Sequence, residues 1–222
     1  MTRYKYLTFD CYGTLIDWRA GIEGAFRASF GKVDASGVRL YEAYVAEEAS
    51  QESSWREYSS VLAETSIRVA KRLGAAGGAR EGRKFADSLP SWPPFPDTVD
   101  SLERLGKMGY ERYILSNVDD ALLKQTISRN GLEVDGYVTA EETHSYKPAT
   151  GHWKRFLERT RSRVGEDLHV AQSVFHDIIP AQSLGFATAW VNRYREPLSL
   201  DVQPGYICGL LSDVVNLLSN ER

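Results

Sequence analysis

Four short apolar runs, each ending at or beside polar side chains, constrain this chain more than any other feature. They are YKYLTF (4–9), RYILSN (112–117), LHVAQSVF (168–175) and ATAWVN (187–192). Runs of this length and character read as buried strands. Helical patterns separate the last three. DDALLKQTISRNGL opens on acidic residues and stops at Asn130-Gly131, PATGHWKRFLERT opens on Pro148, and PAQSLGF follows the third run. Acidic starts, an early proline and a glycine stop are ordinary helix punctuation. Buried strands alternating with helices imply an α/β chain with a mostly parallel sheet and helices on both faces. Ligands of such sheets sit at the carboxyl ends of the strands. Asp10, Ser116-Asn117 and Asp177 fall at or just beyond those ends, although they are far apart in sequence.

Residues 19–92 follow a different pattern. Helical signals dominate there, and LPSWPPFPDTV (89–99) places four prolines at the far boundary, where they break the helices. The expectation is a helical insert behind the first strand that covers the active face, with residues 1–18 and 93–222 forming the core domain. Apolar side chains such as Trp55 and Leu62 are expected to line a cavity beneath it.

The bulk properties exclude several functions. With 27 basic and 30 acidic residues among 222, the formal charge is −3, which gives no footprint for nucleic acid or an anionic membrane. No apolar run reaches spanning length, and the N-terminus goes straight into a strand without a secretory core. Two cysteines, Cys11 and Cys208, neither make a disulfide framework nor show metal-ligand spacing. A soluble cytoplasmic protein is expected, and its assembly, as monomer or homodimer, is left open.

The chemistry concentrates around Asp10. A carboxylate at a strand end, followed by a Gly13-Thr14 turn and joined by polar residues at the other strand ends, reads as a nucleophile that attacks carbon or phosphorus to form an ester or acyl phosphate. With DCYGTL (10–15), LSN (115–117), YKP (146–148) and DIIPAQSLG (177–185) in this order, the chain resembles the haloacid dehalogenase superfamily. The resemblance spans nearly the whole sequence. It implies a Rossmann-like core with a helical cap subdomain inserted after the first strand. It also implies that Asp10 is the nucleophile, that Thr14 positions it, that Lys147 holds it ionised, and that Asp177 activates the hydrolytic water. Ser116 would bind a substrate carboxylate, and Asn117 would cradle the carboxylate or the departing halide.

Tyr12 narrows the branch. Phosphatases of the superfamily usually place a second aspartate there to protonate the leaving oxygen. A phenol with an ordinary pKa near ~10 is a poor substitute, whereas halide leaves without a proton. Tyr12 therefore resembles the L-2-haloacid dehalogenase branch, although a purely packing role is the plain alternative. Gln172 stands where those phosphatases commonly carry a further acid, which weakens a magnesium site. No metal and no cofactor are expected for a dehalogenase, and magnesium is expected only if the chain is a phosphatase instead. The expected substrate is a small molecule, a 2-haloacid or similar small carboxylate. His176 is either a donor toward halide or carboxylate or a structural donor. Trp153, where the branch tends to have a tyrosine, is either a substrate contact or a core residue. The branch's cap arginine has no counterpart in register: the best-placed residue is Glu42, flanked at a distance by Arg39 and Arg56.

Overall fold

The computed structural model describes residues 3–33, 35–51, 54–198 and 201–220. Six strands appear in chain order: β1 (Tyr6–Phe9), β2 (Glu111–Ser116), β3 (Gly136–Thr139), β4 (Asp167–Ala171), β5 (Ala187–Val191) and β6 (Tyr206–Cys208). All pair in parallel, in the order β3-β2-β1-β4-β5-β6. The chain turns to the opposite side of β1 when it passes from β3 to β4. The switch point of the sheet therefore lies at the end of β1, where an open α/β sheet forms its ligand crevice. All four residues of β1 are buried, because it is paired on both edges and covered on both faces.

Four helices follow β1 before the chain returns toward β2: α1 (Trp18–Phe30), α2 (Gly37–Ala49), α3 (Tyr58–Arg72) and α4 (Ala79–Ser88). Six more follow: α5 (Thr98–Lys107), α6 (Asp120–Asn130), the single turn α7 (Ala140–Thr143), α8 (Gly151–Thr160), α9 (Ile179–Ser183) and α10 (Leu211–Asn220). The chain leaves for the first four helices and returns from them along one seam. Asp17 N donates to Pro93 O at 2.8 Å and Phe95 N to Leu15 O at 3.0 Å. The proline-rich stretch thus runs beside the outgoing chain, which is the geometry an insertion into a sheet requires. Trp92 seals the seam, with its ring centroid 5.1 Å from that of Trp18 and 6.5 Å from that of Tyr12.

Several boundaries differ from the sequence reading. The third apolar run leaves the sheet at Ala171, and Val174–Ile178 form a wide π-helical turn. That turn is started by Ser173, whose hydroxyl accepts from His176 N at 3.0 Å. Helix α8 begins at Gly151, so Pro148 precedes it rather than opening it. Strands β3 and β6 escaped notice because they are only four and three residues long and their hydrophobicity is weak. Among the described residues no helix is long and apolar enough to cross a membrane.

Candidate active site

Asp10 continues the line of β1 by one residue, its N–H donating to Val170 O of β4 at 3.2 Å. The chain then reverses through Gly13, at φ +102°, where an added Cβ would come within 3.5 Å of Gln172 Oε1. Glycine suits the positive φ, and the space itself would admit a Cβ. The reversal returns Thr14 beneath Asp10, and Thr14 Oγ1 donates to Asp10 Oδ2 at 2.8 Å. Gln172 N donates in turn to Thr14 Oγ1 at 2.9 Å. With its lone pairs engaged from that side, the hydroxyl has its single proton to give to the carboxylate.

Lys147 closes the other side. Its Nζ lies 2.8 Å from Asp10 Oδ1, 2.7 Å from Asp177 Oδ1 and 2.9 Å from the Leu115 carbonyl. An ammonium has three protons, and three acceptors take them. Lys147 is almost fully buried, and its pKa is raised above the ordinary lysine value because the two carboxylates outweigh the burial that would lower it. Asn117 clamps the lysine backbone at both ends of its amide: Lys147 N donates to Oδ1 at 2.7 Å, and Nδ2 donates to Lys147 O at 3.3 Å. Asn117 therefore lines the cavity while its amide holds Lys147, and its Nδ2 keeps a second N–H.

The two acids are held differently. Burial raises Asp10 above the ordinary carboxyl range, Asp177's nearby charge adds to this, and Lys147 and Thr14 oppose it. Burial would also raise Asp177, but Lys147 and His169 outweigh it and hold that carboxyl at about 2. His169 lies on β4 with its Nε2 3.0 Å from Asp177 Oδ1, and the sequence reading passed over it. It looked like one polar letter in an apolar strand, and the π-helical turn after β4 folds Asp177 back onto it. His152 was likewise passed over. It braces the Ser116 carbonyl through Nε2 at 3.0 Å, and burial together with Lys147 pushes its pKa down to about 3.

Tyr12 presents its ring to the cavity while its phenol points away, 2.6 Å from Thr126 Oγ1 on α6. Burial pushes that phenol well above the ordinary tyrosine value. Ser116, almost fully buried at the end of β2, and His176, on the π-helical turn, both line the cavity. The imidazole of His176 has its Nδ1 3.1 Å from Ser173 Oγ. Trp153 does not line it. The indole is fully buried among Tyr6, Leu115 and Phe156, with its ring 5.2 Å from that of His169, which corrects the substrate-contact alternative in favour of the core.

The cavity measures about 480 Å³. Its far wall comes from the first three helices, through Trp18, Tyr41, Val45, Glu48 and Tyr58. Trp55 and Leu62, expected there, lie elsewhere: Trp55 packs its ring 4.4 Å from His144, and Leu62 is in the core. Glu42 is exposed, so the carboxylate that α2 turns inward is Glu48, which accepts from Tyr58 Oη at 2.7 Å. At the rim, Arg19 stacks over Tyr194 and Tyr41, 3.4 and 4.6 Å from their ring centroids, and reaches Glu196 at 3.1 Å.

A divalent cation fits this donor set poorly. Both oxygens of Asp10 already serve Thr14 and Lys147, and Oδ1 of Asp177 serves Lys147 and His169. Tyr12 and Gln172 supply no further charge, and an octahedral magnesium site needs hard, uncommitted oxygens.

A family model described as haloacid dehalogenase-like hydrolase matches residues 4–185. Comparison with curated protein sequences returns no significant match. Among solved structures, an L-2-haloacid dehalogenase from Xanthobacter autotrophicus superposes with a TM-score of 0.86 at 19% identity, covering 97% of this chain and 98% of that one. A second structure of that enzyme, with chloropropionic acid covalently bound, has a TM-score of 0.84 at 20% identity, with 97% and 98% covered. A HAD-hydrolase from Bacillus subtilis bound to magnesium has a TM-score of 0.83 at 21% identity, with 97% and 99% covered. At such identities the superpositions establish the fold.

Proposed function

The chain belongs to the haloacid dehalogenase-like hydrolases, and from that membership we propose that it is a hydrolytic dehalogenase of small 2-haloacids working through Asp10. The observation that carries this reading is the direction of the Tyr12 phenol. It is bonded to Thr126 and held far up its titration range, so it offers no proton to a leaving group. Halide departs as a stable anion and needs none.

In the first step an Asp10 oxygen attacks the halogen-bearing carbon, the carbon–halogen bond breaks, and halide leaves with its electron pair. Lys147 and Thr14 hold the carboxylate in place, and such positioning supplies much of the catalysis. In the second step a water oxygen bonds to the Asp10 carbonyl carbon and one water proton passes to Asp177. The acyl–oxygen bond breaks, the departing 2-hydroxy acid takes that proton, and the regenerated Asp10 carboxyl releases the remaining one to solvent. Ser116 is the group that would receive the substrate carboxylate.

The second reading, a magnesium-dependent phosphatase, is favoured by the likeness to the magnesium-bound Bacillus subtilis hydrolase. A halide-release screen over haloacetates and 2-halopropionates, run beside a phosphate-ester panel with EDTA or magnesium, separates the two. Halide release that survives EDTA is the expected result. Phosphate release that needs magnesium, without halide release, would put the phosphatase in its place.

A further inference from the structure

Two carboxylates share one buried ammonium in this site. Asp10 and Asp177 both bond Lys147 Nζ, whose third proton goes to the Leu115 carbonyl. Two acids around a single cation in a low-dielectric site tend to keep one proton between them. The proposed chemistry, on which this inference rests, needs Asp10 ionised to attack and Asp177 ionised to receive a proton once the ester has formed. A further donor is required, and Lys147 has no proton left to give.

We propose that His169 is that donor, a positioning residue that keeps Asp177 ionised and turns its Oδ2 toward the cavity. The geometry is built by the sheet. His169 and Thr8 are direct register partners on β4 and β1, and Thr8 Oγ1 lies 2.8 Å from His169 Nδ1. Nε2 lies 3.0 Å from Asp177 Oδ1. The edge of Trp153 lies against the imidazole, and the histidine is fully buried. An ionised carboxylate only accepts, so Nε2 carries a proton and donates it to Asp177. Lys147 and His169 both aim at Oδ1, while Oδ2 accepts no hydrogen bond from the described residues. Asp177 lines the cavity, so Oδ2 is the oxygen left to meet the water.

The groups that face Asp177 are Asp10 after β1, Lys147 and His152 from α8 and the loop before it, His169 on β4, and His176 on its own turn. Of these, Lys147 and His169 donate to its carboxylate. Removing the histidine's donor leaves Asp177 with Lys147 alone, and its titration moves upward.

The test compares wild type, H169F and H169Q. Glutamine keeps an N–H near the Nε2 position, whereas phenylalanine keeps the bulk and loses the donor. The acid limb of the ester-hydrolysis rate, followed in single turnover, should move up by about one pH unit in H169F and return in H169Q. A lowered plateau with an unmoved limb, in either variant, would assign His169 a packing role and overturn the proposal. The comparison uses whichever substrate the wild type turns over, so failure of the dehalogenase reading shows in the wild type alone. A measurement that needs no turnover stands beside it: long-range proton–nitrogen NMR of the wild-type imidazole should find Nε2 protonated. An unprotonated Nε2 would overturn the proposal even if the variants do not fold.

Discussion

Asp10, Tyr12 and Asp177 are the residues whose substitution speaks most directly to mechanism. Asp10→Asn replaces a carboxylate with an amide of the same shape, and activity should fall by roughly 10⁴- to 10⁶-fold, as when a nucleophile is removed. Asp177→Asn should form the ester but hydrolyse it slowly, so that the peptide holding Asp10 gains the mass of the carboxyalkyl substituent. Single turnover in heavy-oxygen water should place the label in the Asp10 side chain. Label found in the first product instead would mean direct attack by water. Tyr12→Phe removes only the hydrogen bond to Thr126. Stability should drop by about 1 kcal/mol and the rate should stay within about tenfold of wild type, because the phenol faces away from the reaction. A much larger rate loss would show that the hydroxyl takes part in the chemistry.

Among the elements, α3 shows how the helical segment is tied to the sheet. Its N-cap residue, Glu57, makes no capping bond with its own side chain. Asp119, at the end of β2's following loop, supplies both instead: Oδ1 accepts from Tyr58 N at 2.7 Å and Oδ2 from Ser59 N at 2.8 Å. A carboxylate placed at a helix N-terminus also meets the favourable end of the dipole. Tyr146 adds a bond from its hydroxyl to Arg56 O at 2.6 Å. Asp119→Ala should therefore cost about 1–2 kcal/mol, the range for a lost N-cap, measured by urea unfolding. Since Tyr58 lines the cavity, KM should rise more than kcat falls. Unchanged stability and unchanged KM would show that α3 is held without this cap.

For the whole molecule, pH acts through buried groups of different sign. Asp177 is depressed to about 2, so its contribution to stability is present above the unfolded carboxyl value of ~4 and is lost as pH falls through 2. Lys147 is raised, so its contribution is present below the unfolded lysine value of ~10.4 and is lost as pH climbs beyond it. Asp167 behaves oppositely to Asp177. Burial raises it to about 6 despite the 2.6 Å bond from Ser162, and its Oδ2 is buried without a partner. Its favourable contribution is present below ~4 and is lost as pH rises through 6. His152, pushed down to about 3, has a contribution that is present above the unfolded imidazole value of ~6.5 and is lost as pH falls, so it opposes Asp167 between pH 7 and pH 5. Asp167→Asn should therefore make melting temperature fall more steeply between pH 7 and pH 5 and leave the later acid fall intact. A variant curve parallel to wild type between pH 5 and 7 would remove Asp167 from the account.

The parallel sheet, the helical segment behind β1 and the meeting of Asp10, Ser116 and Asp177 were legible in the chain itself, whereas Lys147 was placed with them by the family resemblance. The legible features depend on local signals: apolar runs, helix punctuation, and polar residues at the ends of strands, which a parallel sheet gathers on one edge. What only the tertiary structure decided were the partners of those residues. Nothing near Asn117 in sequence says that its amide holds Lys147, and nothing near Tyr12 says that its phenol turns to Thr126. Glu42, the best-placed position for the branch's cap arginine in the sequence, is exposed while Glu48 lines the cavity, because a helix reading gives spacing but not the rotation of the helix about its axis, which packing against its neighbours sets. His169 became visible only when β1 paired with β4 to set Thr8 beside it and the turn after β4 brought Asp177 back to it. Side-chain hydrogen bonds between distant segments follow from that register and rotation, and neither is written in the residues on either side.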